Sequence, residues 1–297
     1  MKLDIVSFGS AVLDVFVNTD VAERERKISY PVGSKILVKG LKEDIGGGGT
    51  NTAVAFSRLG FKTGYIGKLG NDNQGKNILK LLKQEGVKFL GKLVEGDTGR
   101  SIILDSKEHN RTILTYKGVN NHLDKQDMKQ FKTKWLYFSS LLGKSFETQQ
   151  WLAEKLFGKT KLAFNPSSYL IKEKKKQVLI LLKLTEILIL NKEEAEMLVG
   201  KSNLLEKLHK LGPRVVVITN KDKKVYAYDG FKQYDVNPHK INVKERTGAG
   251  DAFAAGFVAG QVAGKSITDS LKLGLEEGES VLRYFGAKNN LLKRKLK

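Results

Sequence analysis

The stretch Thr247-Gly248-Ala249-Gly250-Asp251-Ala252-Phe253 places a carboxylate where a turn hands over to a helix. Two glycines and an alanine let the backbone approach a ligand closely, and the small apolar run 252–263 reads as a helix. Such a helix start presents unpaired N–H groups backed by the positive end of the dipole, an anion site usually filled by phosphate. A plain phosphate cradle would exclude Asp251, whose charge repels the anion. A site that takes a proton from a hydroxyl attacking the phosphate would require it. A local reading competes, with Thr247 as helix cap and Asp251 complementing the dipole. The rest of the chain has to decide.

Three further places carry polar groups at telling spacings. Gly46-Gly47-Gly48-Gly49 precedes Thr50-Asn51 and a helical run that stops at Gly60. Glycines set against a helix start, at Thr50 or Asn51, suggest close approach to a ligand, though such runs also serve as plain loops. Asn191-Lys192-Glu193-Glu194 reads first as a capping box, and beside transferred phosphates Glu194 would instead ligate magnesium or its water. Asp14, within Leu13-Asp14-Val15-Phe16-Val17, is either a hydroxyl-binding group or a solvated edge position. Two segments imitate a P-loop. In 70–77, Asn77 stands where a Ser or Thr would bind magnesium, and 259–266 ends a helix, with Gly264 as its stop and Ser266 as the next cap.

The elements that must position these groups alternate along the chain. Strands are expected at 3–9, 61–68, 135–139, 161–165, 186–190, 214–219 and 225–228. Helices are expected at 74–85, 147–157, 174–184, 193–199, 203–211 and 266–285. Residues 98–105 and 111–116 read as a pair of strands around Ser106-Lys107-Glu108-His109-Asn110. This rhythm predicts a parallel sheet covered by helices on both faces, with ligands beyond the carboxyl ends of its strands. No internal repeat or linker composition interrupts it, so one domain over 1–297 is expected.

Composition narrows the function classes. The chain has 297 residues, 40% hydrophobic and 28% charged, the profile of an ordinary globular protein. It lacks cysteine, which excludes disulfides, zinc–thiolate sites and thiol nucleophiles and suits the cytoplasm. The opening Met1-Lys2-Leu3-Asp4 does not read as a signal peptide, and the apolar run 178–190 is broken by Lys183, Thr185 and Glu186, so no membrane span is expected. The net charge of +20 is spread along the chain, with local density only at 172–176 and 293–297. A nucleic-acid surface would gather that charge on one face among aromatics, so solvated helix faces and a basic tail are the favoured reading. Attraction for anionic substrates is a side effect of that charge.

These pieces in this order resemble the ribokinase/PfkB family of sugar and nucleoside kinases. The resemblance rests on 46–60 continued by Ile66-Gly67-Lys68-Leu69-Gly70-Asn71-Asp72, on 247–253, and on Asn191 with Glu194. It implies a ribokinase-like three-layer α/β/α sandwich with a mostly parallel sheet and a small β-lid from about 14–38 and 98–116. It implies ATP as donor, Mg2+ as cofactor, and a sugar, sugar phosphate or nucleoside as acceptor. Asp251 would be the general base, and Gly248, Ala249 and Gly250 the anion hole. Asp14, Gly47, Gly48 and Asn51 would bind acceptor hydroxyls, Asn191 and Glu194 would hold magnesium through water, and Thr219 would sit at the nucleotide. Members of the family dimerise through lid strands, which makes a homodimer one expectation for this chain.

The sequence departs from the family pattern on the nucleotide side. Glu245-Arg246 stands where Asp-Thr is common, at odds with the monovalent-cation site of some members. Asn220-Lys221-Asp222-Lys223-Lys224 replaces a glycine-bearing loop, and an asparagine common near Glu277 is missing. A kinase that has become a binding module, or a nucleic-acid binder using the +20 charge, are the alternatives. The first would bind nucleotide without turnover, and the second would have no need of Asp251.

Overall fold

Strand-forming runs that are apolar on both faces have no water-facing side, so they must lie inside a sheet covered above and below. The computed structural model, which describes residues 2–25, 27–108 and 110–296, realises this. A nine-stranded sheet runs in the order Gln233–Val236, Lys223–Tyr228, Val215–Asn220, Ile187–Asn191, Lys161–Asn165, Lys132–Ser139, Lys2–Phe8, Thr63–Ile66, Lys88–Phe89. All neighbours are parallel except at the Val215–Asn220 edge, where the last two strands turn back antiparallel.

Successive residues of each strand point to opposite faces. Ile5, Tyr137, Ile187 and Ile189 enter one core with Phe56 and Phe257, from helices Gly48–Arg58 and Ala249–Val262. Val6, Phe138, Leu188 and Leu190 enter the other, against helices Gly143–Leu156, Ser168–Leu182 and Lys192–Val199. The result is the expected three-layer sandwich. Its parallel strands deliver Ser139, Asn165, Asn191 and Thr219 to one rim, at their carboxyl ends.

Over that rim lies a four-stranded sheet ordered Gly40–Gly46, Val12–Val21, Gly99–Ser106, Arg111–Tyr116. Cross-strand register puts Asp14 beside Ser101 and Ile103 beside Ile113 on one face, with Val15, Ile102 and Leu114 on the other. The lid therefore draws a strand from 40–46, outside the expected 14–38. Other differences are local. The glycine helix begins at Gly48, two residues before Thr50. Helix 168–182 starts ahead of its expected position and carries a non-helical residue at Lys174. The segment 61–68 divides into strands Thr63–Ile66 and Lys68–Gly70. Asp72 caps helix Asn73–Gln84 by accepting from Gly75 N at 2.8 Å, so the near-P-loop is a capped helix start. Met1, His109 of the expected turn and Lys297 of the basic tail lie outside the described residues.

Candidate active site

Gly248 makes the turn into helix Ala249–Val262 feasible. Its φ is +81°, and a Cβ there would come within 2.4 Å of the Ala287 side chain. It is the N-cap of helix Ala249–Val262, without any side-chain cap. Thr247 is not that cap, because its hydroxyl is spent on Glu245 Oε1 at 2.8 Å. The Ala249 N–H makes a long 3.4 Å bond to the Arg246 carbonyl, and the first helical bond is from Ala252 to Gly248 O, so the N–H groups of Gly250 and Asp251 are the ones left open to an anion.

Asp251 stands in the first turn, on the wall of a cavity of about 500 Å³. Its Oδ2 accepts from Asn51 Nδ2 at 2.7 Å. Burial raises the carboxyl above the usual aspartate range, opposed by the Asn51 bond and by the charge of Lys288. Opposite, Gly48 is in the first turn of the glycine helix. A Cβ on it would meet Ser139 Oγ at 2.9 Å and Asp251 Oδ1 at 3.3 Å. Glycine is required there because the backbone forms the wall that faces the carboxylate.

The far side of the cavity is built from the strand rim. Asn191 and Glu194 form the expected capping box, each accepting from the other's backbone N–H at 2.9 Å. Both also line the cavity. Burial pushes the Glu194 carboxyl up to about 7, partly offset by hydrogen bonds from the backbone. The structural and functional readings of this pair are therefore compatible. Ser139 Oγ, at the end of its strand, is buried with no protein partner, leaving a hydroxyl on the cavity wall to be satisfied by something else.

A second, smaller cavity of about 260 Å³ adjoins the first. Val225, Pro238, Phe253, Leu275 and Leu282 give it apolar walls. Thr219, Arg246 and Gly250 line both cavities, so the two meet at the Gly248 turn. An apolar slot joined to a polar chamber, with N–H donors at the junction and a carboxylate beyond it, suits a phosphoryl group passing between two molecules.

Comparison with known proteins settles the family. The family model of the pfkB family carbohydrate kinases matches residues 2–294. The chain belongs to that family. An uncharacterized sugar kinase of Archaeoglobus fulgidus is 29% identical over 249 residues, 80% of this chain and 98% of the relative. A ribokinase of Haemophilus influenzae is 27% identical over 262 residues, 83% of each chain. The crystal structure of adenosine kinase from Sinorhizobium meliloti superposes with a TM-score of 0.84 at 22% identity, covering 98% of both chains, which establishes the ribokinase-like fold.

Within this pfkB-family site the expected residues divide into two groups. Gly48, Asn191, Glu194, Thr219, Gly248, Gly250 and Asp251 share the larger cavity, and Ala249 lines the apolar slot beside it. Asp14, Gly47 and Asn51 stand behind the cavity wall. Asp14 is buried on the inner lid face, where burial, opposed first by Lys288 and then by a Ser101 hydrogen bond, lifts it to about 6. Asn51 is engaged at both ends, by Asp251 and by Lys288 Nζ at 2.5 Å from its Oδ1. Glu277 does not face the apolar slot, which takes Leu275, Gly278, Glu279 and Leu282 from its helix. Glu277 is fully buried on the other side and accepts from Leu292 N at 3.1 Å.

Three cationic residues near the site are not among the expected site residues, Arg246 being named there only as a departure from the family pattern. Arg111 and Arg246 line the cavity, and Lys288 is buried behind it. Strand alternation places Arg111 inward with Ile113, which was a usable signal. Lys288 sits in a stretch with no periodicity and had none. No helix among the described residues is long and apolar enough to cross a membrane.

Proposed function

We propose that the chain transfers the γ-phosphoryl group of ATP to a hydroxyl of a sugar, sugar phosphate or nucleoside, in the cytoplasm. One observation carries the reading: Asp251 and the Gly248 turn stand where the apolar slot opens into the hydroxyl- and amide-lined chamber. The slot fits a flat base, and the chamber fits an acceptor with several hydroxyls.

In this reading Asp251 takes the proton of the attacking hydroxyl as its oxygen bonds to phosphorus and the bridge to the β-phosphate breaks. The N–H groups that the Gly248-Ala249-Gly250 turn leaves open, led by that of Gly250, would receive the charge on the transferring oxygens. Among the described residues no three acidic or imidazole groups cluster as a metal cage. Glu194 and Asn191, both on the chamber wall, would hold a magnesium ion largely through water. Bound Mg2+ would neutralise phosphate charge. The lid, with Arg111 and Ile113 over the chamber, excludes water that competes as acceptor. An intact Asp251 beside an intact turn argues against a module that only binds.

The test is ADP release from Mg-ATP with ribose, fructose, fructose 6-phosphate, adenosine and cytidine, run on wild type and Asp251→Asn. One acceptor should stimulate release, and the variant should lose turnover by about two orders of magnitude or more while still binding nucleotide. Undiminished turnover in the variant would remove Asp251 from the mechanism.

A further inference from the structure

Asp14, Asp44 and Asp251 share one buried cation. Lys288 follows helix Ile267–Leu282 and is 4% exposed. Its Nζ donates to Asn51 Oδ1 at 2.5 Å and to the Ile45 carbonyl. Asn51 in turn donates from Nδ2 to Asp251 Oδ2 at 2.7 Å. An amide has a fixed polarity, with acceptor at one end and donors at the other. With its oxygen held by an ammonium, the amide must turn its N–H toward Asp251. Flipped, it would set oxygen against carboxylate and N–H against ammonium. The bond from Asn51 occupies Oδ2, while Oδ1 is the oxygen near Gly48 on the cavity wall.

We propose that Lys288 is a positioning residue of the transfer step, acting through Asn51 to hold Asp251 ionised with Oδ1 aimed at the acceptor hydroxyl. The proposal rests on the kinase reading for the step it serves, and on the hydrogen-bond chain alone for its geometry. Four charged groups face the ammonium: Asp14 and Asp44 from the two lid strands, Asp251 from its helix, and Arg58 from the glycine helix. Burial lowers Lys288 to about 8, and the three carboxylates oppose that fall. The ammonium in return pulls Asp14 and Asp251 down against their own burial. Burial thus makes Asp251 more basic, and the Asn51 bond and the Lys288 charge favour its ionised form. When the acceptor O–H bond breaks, its proton passes to Oδ1, and the Asn51 bond to Oδ2 keeps the carboxyl from rotating away.

Aspartate labelled with 13C at the carboxyl reads this without any substrate, with Asp251→Asn identifying the Asp251 signal. In wild type the signal should show a further step near pH 8 as Lys288 loses its proton. In Lys288→Met, Asp251 should titrate at least one pH unit higher. A wild-type signal flat through pH 8, or an unchanged titration in folded Lys288→Met, overturns the proposal. The chain has no cysteine, so Lys288→Cys alkylated in denaturant with 2-bromoethylamine and refolded restores an ammonium at this position alone. That protein should recover the step in the Asp251 signal, and a refolded product without it overturns the proposal.

With whichever acceptor of the panel is turned over, Lys288→Met should lower kcat at least tenfold, with KM for ATP within twofold. An unchanged kcat overturns the proposal. Silence of wild type on every acceptor counts against the kinase reading instead, and the carboxyl titration still decides the role of Lys288.

Discussion

Arg111, on the lid's edge strand, is ion-paired with Glu245, two residues before Thr247 opens the Gly248 turn. The same Glu245 oxygen accepts from the backbone N–H of Arg246 at 2.7 Å and of Thr247 at 2.9 Å, and Arg111 also reaches Thr247 Oγ1 at 2.8 Å. Lid position and turn shape are therefore set by one carboxylate. The pair is partly exposed, so its contribution to stability is about 1 kcal/mol or less. Its effect should appear in function. Arg111→Met is expected to raise KM for the acceptor about tenfold, with a melting temperature close to wild type. Steady-state kinetics check this, and an unaltered acceptor KM would uncouple the lid from the turn.

Glu194 serves both as helix cap and as cavity carboxylate, and one substitution separates the two roles. Gln at N3 can still accept the Asn191 N–H, so Glu194→Gln should keep the helix start and lose the charge. The expected result is a markedly higher Mg2+ concentration for half-maximal activity at nearly unchanged stability. A magnesium titration identical to wild type would leave Glu194 as a cap alone.

Gly248 is held at a positive φ with Ala287 against it. Gly248→Ala adds backbone strain of about 1–2 kcal/mol and a steric clash, so the turn must shift. Activity should fall by at least tenfold and the melting temperature should drop, both read on the purified variant. A variant as active as wild type would show that the turn does not need this geometry.

Glu277 gives a stability prediction whose sign follows from its burial. Burial pushes its carboxyl from 4.5 up to about 7, and its Oε1 has no partner. Below pH 4.5 it is protonated in both states. Between 4.5 and 7 the unfolded chain releases a proton that the folded chain keeps, so this group's contribution to stability falls as pH rises, by about 3 kcal/mol in all. Glu277→Gln should remove that slope and melt higher than wild type at pH 8. Parallel melting curves of the two proteins across pH 5 to 8 would show that the group is ionised in the fold.

Much of this was readable from residue order. Alternating apolar runs gave the parallel sheet, because strands buried on both faces leave few polar positions. The Gly248 turn with Asp251, the box of Asn191 and Glu194, and the stop at Gly264 before the Ser266 cap are local chemistry, and local chemistry is legible. What escaped depends on distant packing. Gly48 and Gly49 have poor helix propensity yet open the helix, at positions where Ser139, Tyr65 and Gly9 leave no room for a side chain. The lid strand Gly40–Gly46 is largely exposed and carries little apolar signal. Which side of its helix Glu277 faces, and where Lys288 points, are settled only when the segment 288–296 crosses back to Arg58 and Leu59.

The bond between Asn51 and Asp251 joins residues 200 apart, and that between Lys288 and Asn51 joins residues 237 apart. Strands from Lys132–Ser139 to Lys223–Tyr228, by contrast, each pair with the next in sequence. Closing the longer loops costs more chain entropy, and pairings of high contact order form slowly. In refolding, the helical and sheet signals should therefore recover ahead of the catalytic constellation, and a chain trapped at that stage would look native by circular dichroism yet transfer nothing.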